Sequence, residues 1–373
     1  MDATILIDAR YVKTRQSGIG RHVLALLKRL PKLAPDLEWR AWTAAANASA
    51  LPTDTNLRPV HNRFAPNAVS SLLPHDALFD FTDVSLFHSP HNTLGPRVPV
   101  PSVVTIHDLM WLTDPGYCDP RPLVGALRAR YFRGGIARAM GTAEHILTVS
   151  KASADALVRY DKRLARKVTV TANAVESDFS PAADANASRR IVDDLVGAHV
   201  TYYLVVGQNQ ASKGHALAVR AFAQVPSNHK LVLVQRRQPG KGLARLVHEF
   251  GIEGRVRWLS EVSELELRCL LQNAHALLQP SFAEGFGMPA LEAMACGCPV
   301  IASDIPPLVE VLAGAGLHAR VGDMTSLAEA IARMNDHVLR DDLRARSIER
   351  AREYSWDDSA EVTVAVYRGV LRI

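Results

Sequence analysis

Two glutamates, Glu284 and Glu292, enclose the seven residues Gly285-Phe286-Gly287-Met288-Pro289-Ala290-Leu291. An ionised carboxylate is a pure acceptor, which suits it to the hydroxyl groups of a sugar. Gly285 and Gly287 keep side chains away from the loop, and Pro289 suits the first turn of a helix starting near Met288. The N-terminus of such a helix presents free N–H groups and partial positive charge, a fit for a diphosphate or for hydroxyls. Glu284 on the loop and Glu292 about a turn into the helix can then face one cleft. Taken singly, Glu284 reads as solvated and Glu292 as a complement to the helix dipole; together with the glycines they read as a site.

A second group of residues could handle phosphate. Lys213 ends the run Gly207-Gln208-Asn209-Gln210-Ala211-Ser212-Lys213-Gly214, between a strand and a helix over 216–224. The G-K-[ST] ending of a P-loop is missing. A lysine in a strand-to-helix loop can still neutralise a diphosphate as a point charge, although alone it would be an ordinary surface lysine. Ser17-Gly18-Ile19-Gly20 fails as a dinucleotide fingerprint, because Val23 occupies the third glycine position and the glycines lie far from the strand end. Two readings stay open there: Gly18 and Gly20 bring N–H groups to a phosphate or sugar, or Ser17 simply caps a helix. His88 and His91 flank Pro90, and His107-Asp108 ends a strand, but spacing suggests no third ligand, so no metal is expected. Neither G-x-S-x-G nor H-E-x-x-H occurs.

The elements that must position these residues alternate between short β-branched runs and helical repeats, the pattern of βαβ units around parallel sheets. Strands are expected at Thr4–Asp8, 86–88, Ser102–Ile106, 145–149 and 168–172, with a helix over 19–30. A Pro/Ser/Asp/Ala-rich stretch at 177–198 reads as a linker that runs into a helix over 188–195. A second series follows at Tyr202–Val206, 231–235, 256–259, Ala276–Gln279 and 300–302. Two successive Rossmann-like halves are therefore expected, and 373 residues suffice for both. Hydrophobic residues at 48% and charged residues at 22% exclude a disordered chain. No apolar run approaches a membrane span, and the N-terminus lacks a signal-peptide pattern. Four cysteines without C-x-x-C spacing read as buried thiols in a reducing cytoplasm. A net charge of +5 tilts towards an anionic partner, but no basic–aromatic interleaving suggests nucleic acid.

The segment from Ser281 to Ser303 resembles the E-x7-E signature of retaining glycosyltransferase family 4. The likeness extends over most of the chain: the D-A-R…S-G-I-G-R opening, V-V-T-I before His107-Asp108, T-V before Ser150-Lys151, Asn173, Gly207…Lys213, and Tyr354-Ser355-Trp356 before a final helix over 357–371. It implies an α/β GT-B fold, two Rossmann-like domains whose parallel sheets face a central cleft. Residues 1–180 would form the acceptor-side domain, 181–355 the donor domain, and 356–373 a helix returning to the first. The resemblance assigns Glu284 to the transferred sugar's hydroxyls, Glu292 to the ribose, and the amides of Gly285, Phe286 and Gly287 to sugar and phosphates. Lys213 would stabilise the departing diphosphate, His107 would lie near the donor sugar and incoming hydroxyl, and Gly18 and Gly20 would border the diphosphate. Gln208, Ser150 and Asn173 complete the donor-binding set. Family members commonly carry arginine where Gln208 stands, so phosphate binding would lean on Lys213 or borrow Arg236 or Arg21. Asn173-Ala174 likewise replaces a more usual Asn-Gly.

The same resemblance implies attack from the face that the nucleotide leaves, with the donor phosphate helping to take the acceptor proton and with no metal or cofactor. GDP-mannose is the favoured donor, and a glycan or lipid-linked glycan of bacterial surface polysaccharide the favoured acceptor. Residues 121–138 combine five arginines with Leu123, Leu127, Tyr131, Phe132 and Ile136. Such a helix can rest on the inner face of an anionic membrane or pack on its own domain with a solvated face. Two other functions stay open: a GT-B sugar-nucleotide 2-epimerase, and a non-catalytic nucleotide- or carbohydrate-binding protein.

Overall fold

The computed structural model describes the chain except residues 1–2, 15, 62, 67–72, 120, 226–227 and 236–239, so Arg236 lies outside the described residues. The chain divides into two compact units, Met1–Asn173 with Ser355–Ile373, and Ala174–Tyr354.

The first unit is built on seven parallel strands: β1 (Thr4–Asp8), β2 (Glu38–Thr43), β3 (Leu57–His61), β4 (Leu86–Ser89), β5 (Ser102–Ile106), β6 (His145–Thr148) and β7 (Val168–Val170), in the order β3-β2-β1-β4-β5-β6-β7. All five residues of β1 are buried, as a central strand covered on both faces requires. One face packs on the helix Gly18–Leu33 and the final helix Trp356–Leu371, through Val23, Leu26, Leu27 and Leu30 with Ala360, Val364 and Tyr367. Arg29–Asp357 and Arg368–Asp36 ion pairs flank this contact. The other face packs on the helices Pro122–Thr142 and Lys151–Tyr160 through Ile136, Ala139 and Leu157.

The second unit has six parallel strands: β8 (Tyr202–Val206), β9 (Lys230–Gln235), β10 (Val256–Ser260), β11 (Ala276–Gln279), β12 (Val300–Ser303) and β13 (Leu317–Ala319), ordered β10-β9-β8-β11-β12-β13. Successive side chains of a strand point to opposite faces, and β8 uses this twice. The Tyr202 hydroxyl donates to the Leu270 carbonyl at 2.7 Å, and that of Tyr203 donates to the Ile331 carbonyl at 3.0 Å. Each tyrosine so ties a helix to its own side of the sheet. Within the stretch read as a linker, Asp184 caps a helix, Ala185–Val196, that belongs to this unit.

Strand order reverses between β1 and β4 in the first unit and between β8 and β11 in the second. In open parallel sheets ligands bind beyond the carboxyl ends of the strands at such switch points. The loops after β8 and β11 are those carrying Lys213 and Glu284.

Candidate active site

At the switch point of the second unit, two loops are stitched together by backbone. The Phe282 N–H donates to the Ser212 carbonyl at 2.7 Å. Gly214 is left-handed (φ +66°), and a Cβ there would stand 1.9 Å from the Pro280 carbonyl oxygen, so only glycine permits this approach. The result brings Lys213 to Glu284: Nζ donates to Oε1 at 2.8 Å and to Oε2 at 2.7 Å. The Glu284 side chain is 8% exposed and that of Lys213 26%. Two further donors reach Oε1 of Glu284, the Gln279 amide nitrogen at 3.1 Å and the Ser281 hydroxyl at 2.8 Å.

Beyond Glu284, Gly287 (φ +115°) ends the loop and Pro289 opens the helix Met288–Ala295. Phe286 is buried edge-on to Tyr354 at 5.5 Å between centroids, which fixes the loop from below. Glu292 lies one turn into this helix, 4% exposed. Gln208 is half-buried in the loop after β8, where its carbonyl accepts from the Gln210 N–H at 2.8 Å. His215, directly after Gly214, is buried; burial and then Lys213 lower its imidazole to about 4, so it is neutral at pH 7.

In the first unit Ser17 caps the helix Gly18–Leu33, its hydroxyl accepting from the Gly20 N–H at 3.0 Å. That bond occupies the Gly20 amide, while Gly18 is exposed with open space where a Cβ would project. Gly20 is sterically required, since a Cβ there would stand 2.6 Å from the Tyr11 carbonyl oxygen. His107 follows β5. Its Nε2 meets the Pro90 carbonyl at 3.0 Å, and a carbonyl can only accept, so Nε2 carries the hydrogen and Nδ1 is the ring's acceptor. Burial lowers the His107 imidazole from its ordinary value, partly offset by the Pro90 bond and Asp108. Asn173 is joined to this centre through His22, whose Nδ1 donates to Asn173 Oδ1 at 2.8 Å and whose ring lies edge-on to His107 at 4.9 Å. Ser150 caps the helix Lys151–Tyr160 by accepting from the Ser153 N–H, and the Ser153 hydroxyl in turn donates to the His107 carbonyl at 3.1 Å.

The histidines weighed as metal ligands have other partners. His88 bonds to Thr105 and Tyr367, and His91 to Asp8 at 2.8 Å. Among the described residues no group of three or more His, Cys, Asp or Glu is placed to hold a metal ion. Asp8 also takes Arg10 in a bidentate pair at 2.8 and 2.6 Å, and the guanidinium lies 4.4 Å over the Trp42 ring. Burial alone would raise the Asp8 carboxyl, but Arg10 and His91 outweigh it and hold it far below the usual carboxylate range. In the helix Pro122–Thr142, Leu123, Val124 and Leu127 are exposed while Ile136 is buried. Arg121 and Arg128 pair with Asp119, and Arg133 and Arg138 donate to backbone carbonyls.

Sequence reasoning missed Gln279, Ser281 and His22. A polar residue closing the apolar strand Ala276–Gln279 was the available signal for Gln279.

Two Rossmann-like parallel sheets, the second with a lysine–carboxylate site and a glycine-bordered helix N-terminus at its switch point, define a GT-B protein. Sucrose-phosphate synthase from Thermosynechococcus elongatus matches this fold with a TM-score of 0.76 over 100% of both chains at 20% identity. WaaG, a glycosyltransferase involved in lipopolysaccharide biosynthesis, matches at 0.74 over 97% of this chain and 99% of its own, with 15% identity. The family model described as "Glycosyl transferases group 1" matches residues 198–354. An Escherichia coli protein, O-antigen chain mannosyltransferase B, is 28% identical over 98% of this chain and 99% of its own length. The Salmonella typhimurium O-antigen chain mannosyltransferase RfbU is 29% identical over 64% of this chain and 65% of its own. Residues 198–354 thus carry a group 1 glycosyltransferase domain, and the protein is a glycosyltransferase enzyme.

Proposed function

We propose that this glycosyltransferase moves a hexose, mannose from GDP-mannose, to a glycan or lipid-linked glycan acceptor with retention of anomeric configuration and without a metal. The observation that carries the reading is the Lys213–Glu284 pair at the switch point of the second unit: a cation for the departing diphosphate beside a carboxylate for sugar hydroxyls. Glu292, Gly285, Phe286, Gly287 and Gln208 take the remaining donor contacts in this reading. His107, a neutral imidazole with a free acceptor nitrogen, receives a hydroxyl, and Gly18, Gly20, Ser150 and Asn173 serve the first unit's share of the site. The mannosyltransferase names of the E. coli and Salmonella relatives support mannose, and surface polysaccharide as the product class. The 2-epimerase reading gains no support from these transferase relatives.

No helix among the described residues is long and apolar enough to cross a membrane. For a lipid-linked acceptor, we assign contact with the inner face of an anionic membrane to Leu123, Val124 and Leu127, the exposed apolar residues near the start of the basic helix. The enzyme is proposed to work in the cytoplasm.

The test is incubation with GDP-mannose and a surface-polysaccharide acceptor, with NMR of the new linkage. Mannose transfer with GDP release and retained configuration is expected. Turnover of the sugar nucleotide without acceptor would favour the epimerase, and nucleotide binding without any turnover a binding protein.

A further inference from the structure

Glu284 is held by more donors than an ion pair needs, and their distribution is uneven. Its Oε1 accepts from Lys213, Gln279 and Ser281, whereas its Oε2 accepts from Lys213 at 2.7 Å. A lysine that serves a diphosphate with more than one hydrogen has to give up some of these bonds, because Nζ has only three hydrogens and two contacts are already spent on Glu284. Lys213 is the more exposed partner, on a long flexible stem, and is the one that can move. Gln279 and Ser281 cannot follow it: they are 5% and 1% exposed, at the end of β11 and in the loop pressed against Gly214. When Lys213 turns to phosphate, Oε1 keeps two fixed donors and Oε2 becomes an open acceptor.

The orientation of Gln279 supports a purpose beyond packing. Its amide nitrogen faces Glu284, and its amide oxygen is buried without a hydrogen-bond partner. A buried unpaired acceptor is unfavourable. Flipping the amide would set oxygen against the carboxylate oxygen, so Glu284 dictates the orientation at the expense of the Gln279 carbonyl.

We propose that Gln279 and Ser281 are positioning residues that hold Glu284 ready for a sugar hydroxyl once Lys213 leaves it for the donor's diphosphate, so that this pair sets the preference for sugar nucleotide over free nucleotide. The proposal rests on the donor-site reading above. It makes Lys213–Glu284 the contact that gives way and Gln279–Glu284 the contact that persists.

The test uses the full chain with Gln279→Met, which keeps length and volume but removes the donor, and with Ser281→Ala as a milder second variant. Calorimetry gives affinities for GDP with GDP-mannose and UDP with UDP-glucose; steady-state kinetics gives kcat and KM. For the pair the wild type binds, Gln279→Met is expected to reduce the sugar nucleotide's advantage over free nucleotide by roughly tenfold, the scale of one lost hydrogen bond to a charged group. Free-nucleotide affinity should stay within about twofold, kcat should fall, and thermal stability should hold or rise because an unpaired acceptor is gone. Ser281→Ala should show the same split, smaller. Parallel weakening of nucleotide and sugar nucleotide with a lowered melting temperature would mean a structural role and overturn the proposal, as would an unchanged ratio and kcat in both variants. A wild type that binds none of the four ligands would instead overturn the donor-site reading, and this assignment with it.

Discussion

Lys213 Nζ grips both carboxylate oxygens of Glu284, at 2.8 and 2.7 Å, across 71 residues of sequence. In the proposed reaction each of the two has another partner, the diphosphate for the lysine and a sugar hydroxyl for the glutamate. In the structure each satisfies the other, and a donor has to compete with that pair. Glu284→Gln weakens the competition. It should bind free nucleotide diphosphate at least as tightly as the wild type, while kcat for transfer falls by roughly 100-fold or more, the scale of one lost transition-state contact. Calorimetry beside a transfer assay checks both halves; wild-type turnover would remove Glu284 from its role.

Gly214 makes this contact possible, because its missing side chain lets the two loops close. Gly214→Ala forces a left-handed alanine, a strain of about 1–3 kcal/mol, against a carbonyl oxygen 1.9 Å from the new Cβ. The loops should part, with a lowered melting temperature and loss of nucleotide binding. Intact binding in a folded variant would show that the loop contact is dispensable.

The first unit depends on a different charge arrangement. Asp8→Ala would leave Arg10 buried at 4% exposure without its counter-charge, at a cost of about 3–5 kcal/mol. A urea titration monitored by circular dichroism should register that loss. A variant within about 0.5 kcal/mol of the wild type, the range of an inconsequential surface change, would contradict the assignment.

Histidines set the acid limit of stability. Burial first of all holds His75, His215 and His275 at about 4 and His88 at about 3 in the folded chain. In the unfolded chain the same rings take up protons near pH 6.5. Between those values the unfolded state binds more protons, so stability is complete above pH 6.5 and declines as pH falls towards 4. Each group adds a slope of about 1.4 kcal/mol per pH unit in that window. The melting temperature should be level from pH 7 to 8 and fall steadily below pH 6.5, before most carboxylates titrate; a level profile down to about pH 4.5 would refute this.

How much of this was legible depended on whether a signal is local. Gly207, Gly214, Gly285, Gly287 and Pro289 punctuate the chain where the sheet's loops turn, so the positions of Lys213 and Glu284 could be read directly. The strands β2, β3 and β13 were not read. β2 carries Glu38 and Arg40 on its less buried side, and β3 is an exposed edge strand holding Pro59, tolerated there because an edge residue need not donate to the ladder. β13 spans only three residues. The final helix and its return to the first unit came from the likeness carried by Tyr354-Ser355-Trp356, whereas the residues of the helix Gly18–Leu33 that receive it are a long-range fact. His22 looks like one more position in an apolar helix, and its partner Asn173 lies 151 residues away. Gln279 and Ser281 acquire meaning only once the loop has folded back over the strand end.

Lys213 and Glu292 are the nucleotide ligands at the centre of the proposed donor site. The deciding measurement is titration calorimetry of GDP, UDP and ADP into the wild type, Lys213→Ala and Glu292→Ala, without added metal. The expected result is selective binding of one nucleotide by the wild type and a loss of roughly 10- to 100-fold in each variant, the scale of a removed charge-assisted hydrogen bond. Equal affinity in all three proteins would contradict the placement of the donor site.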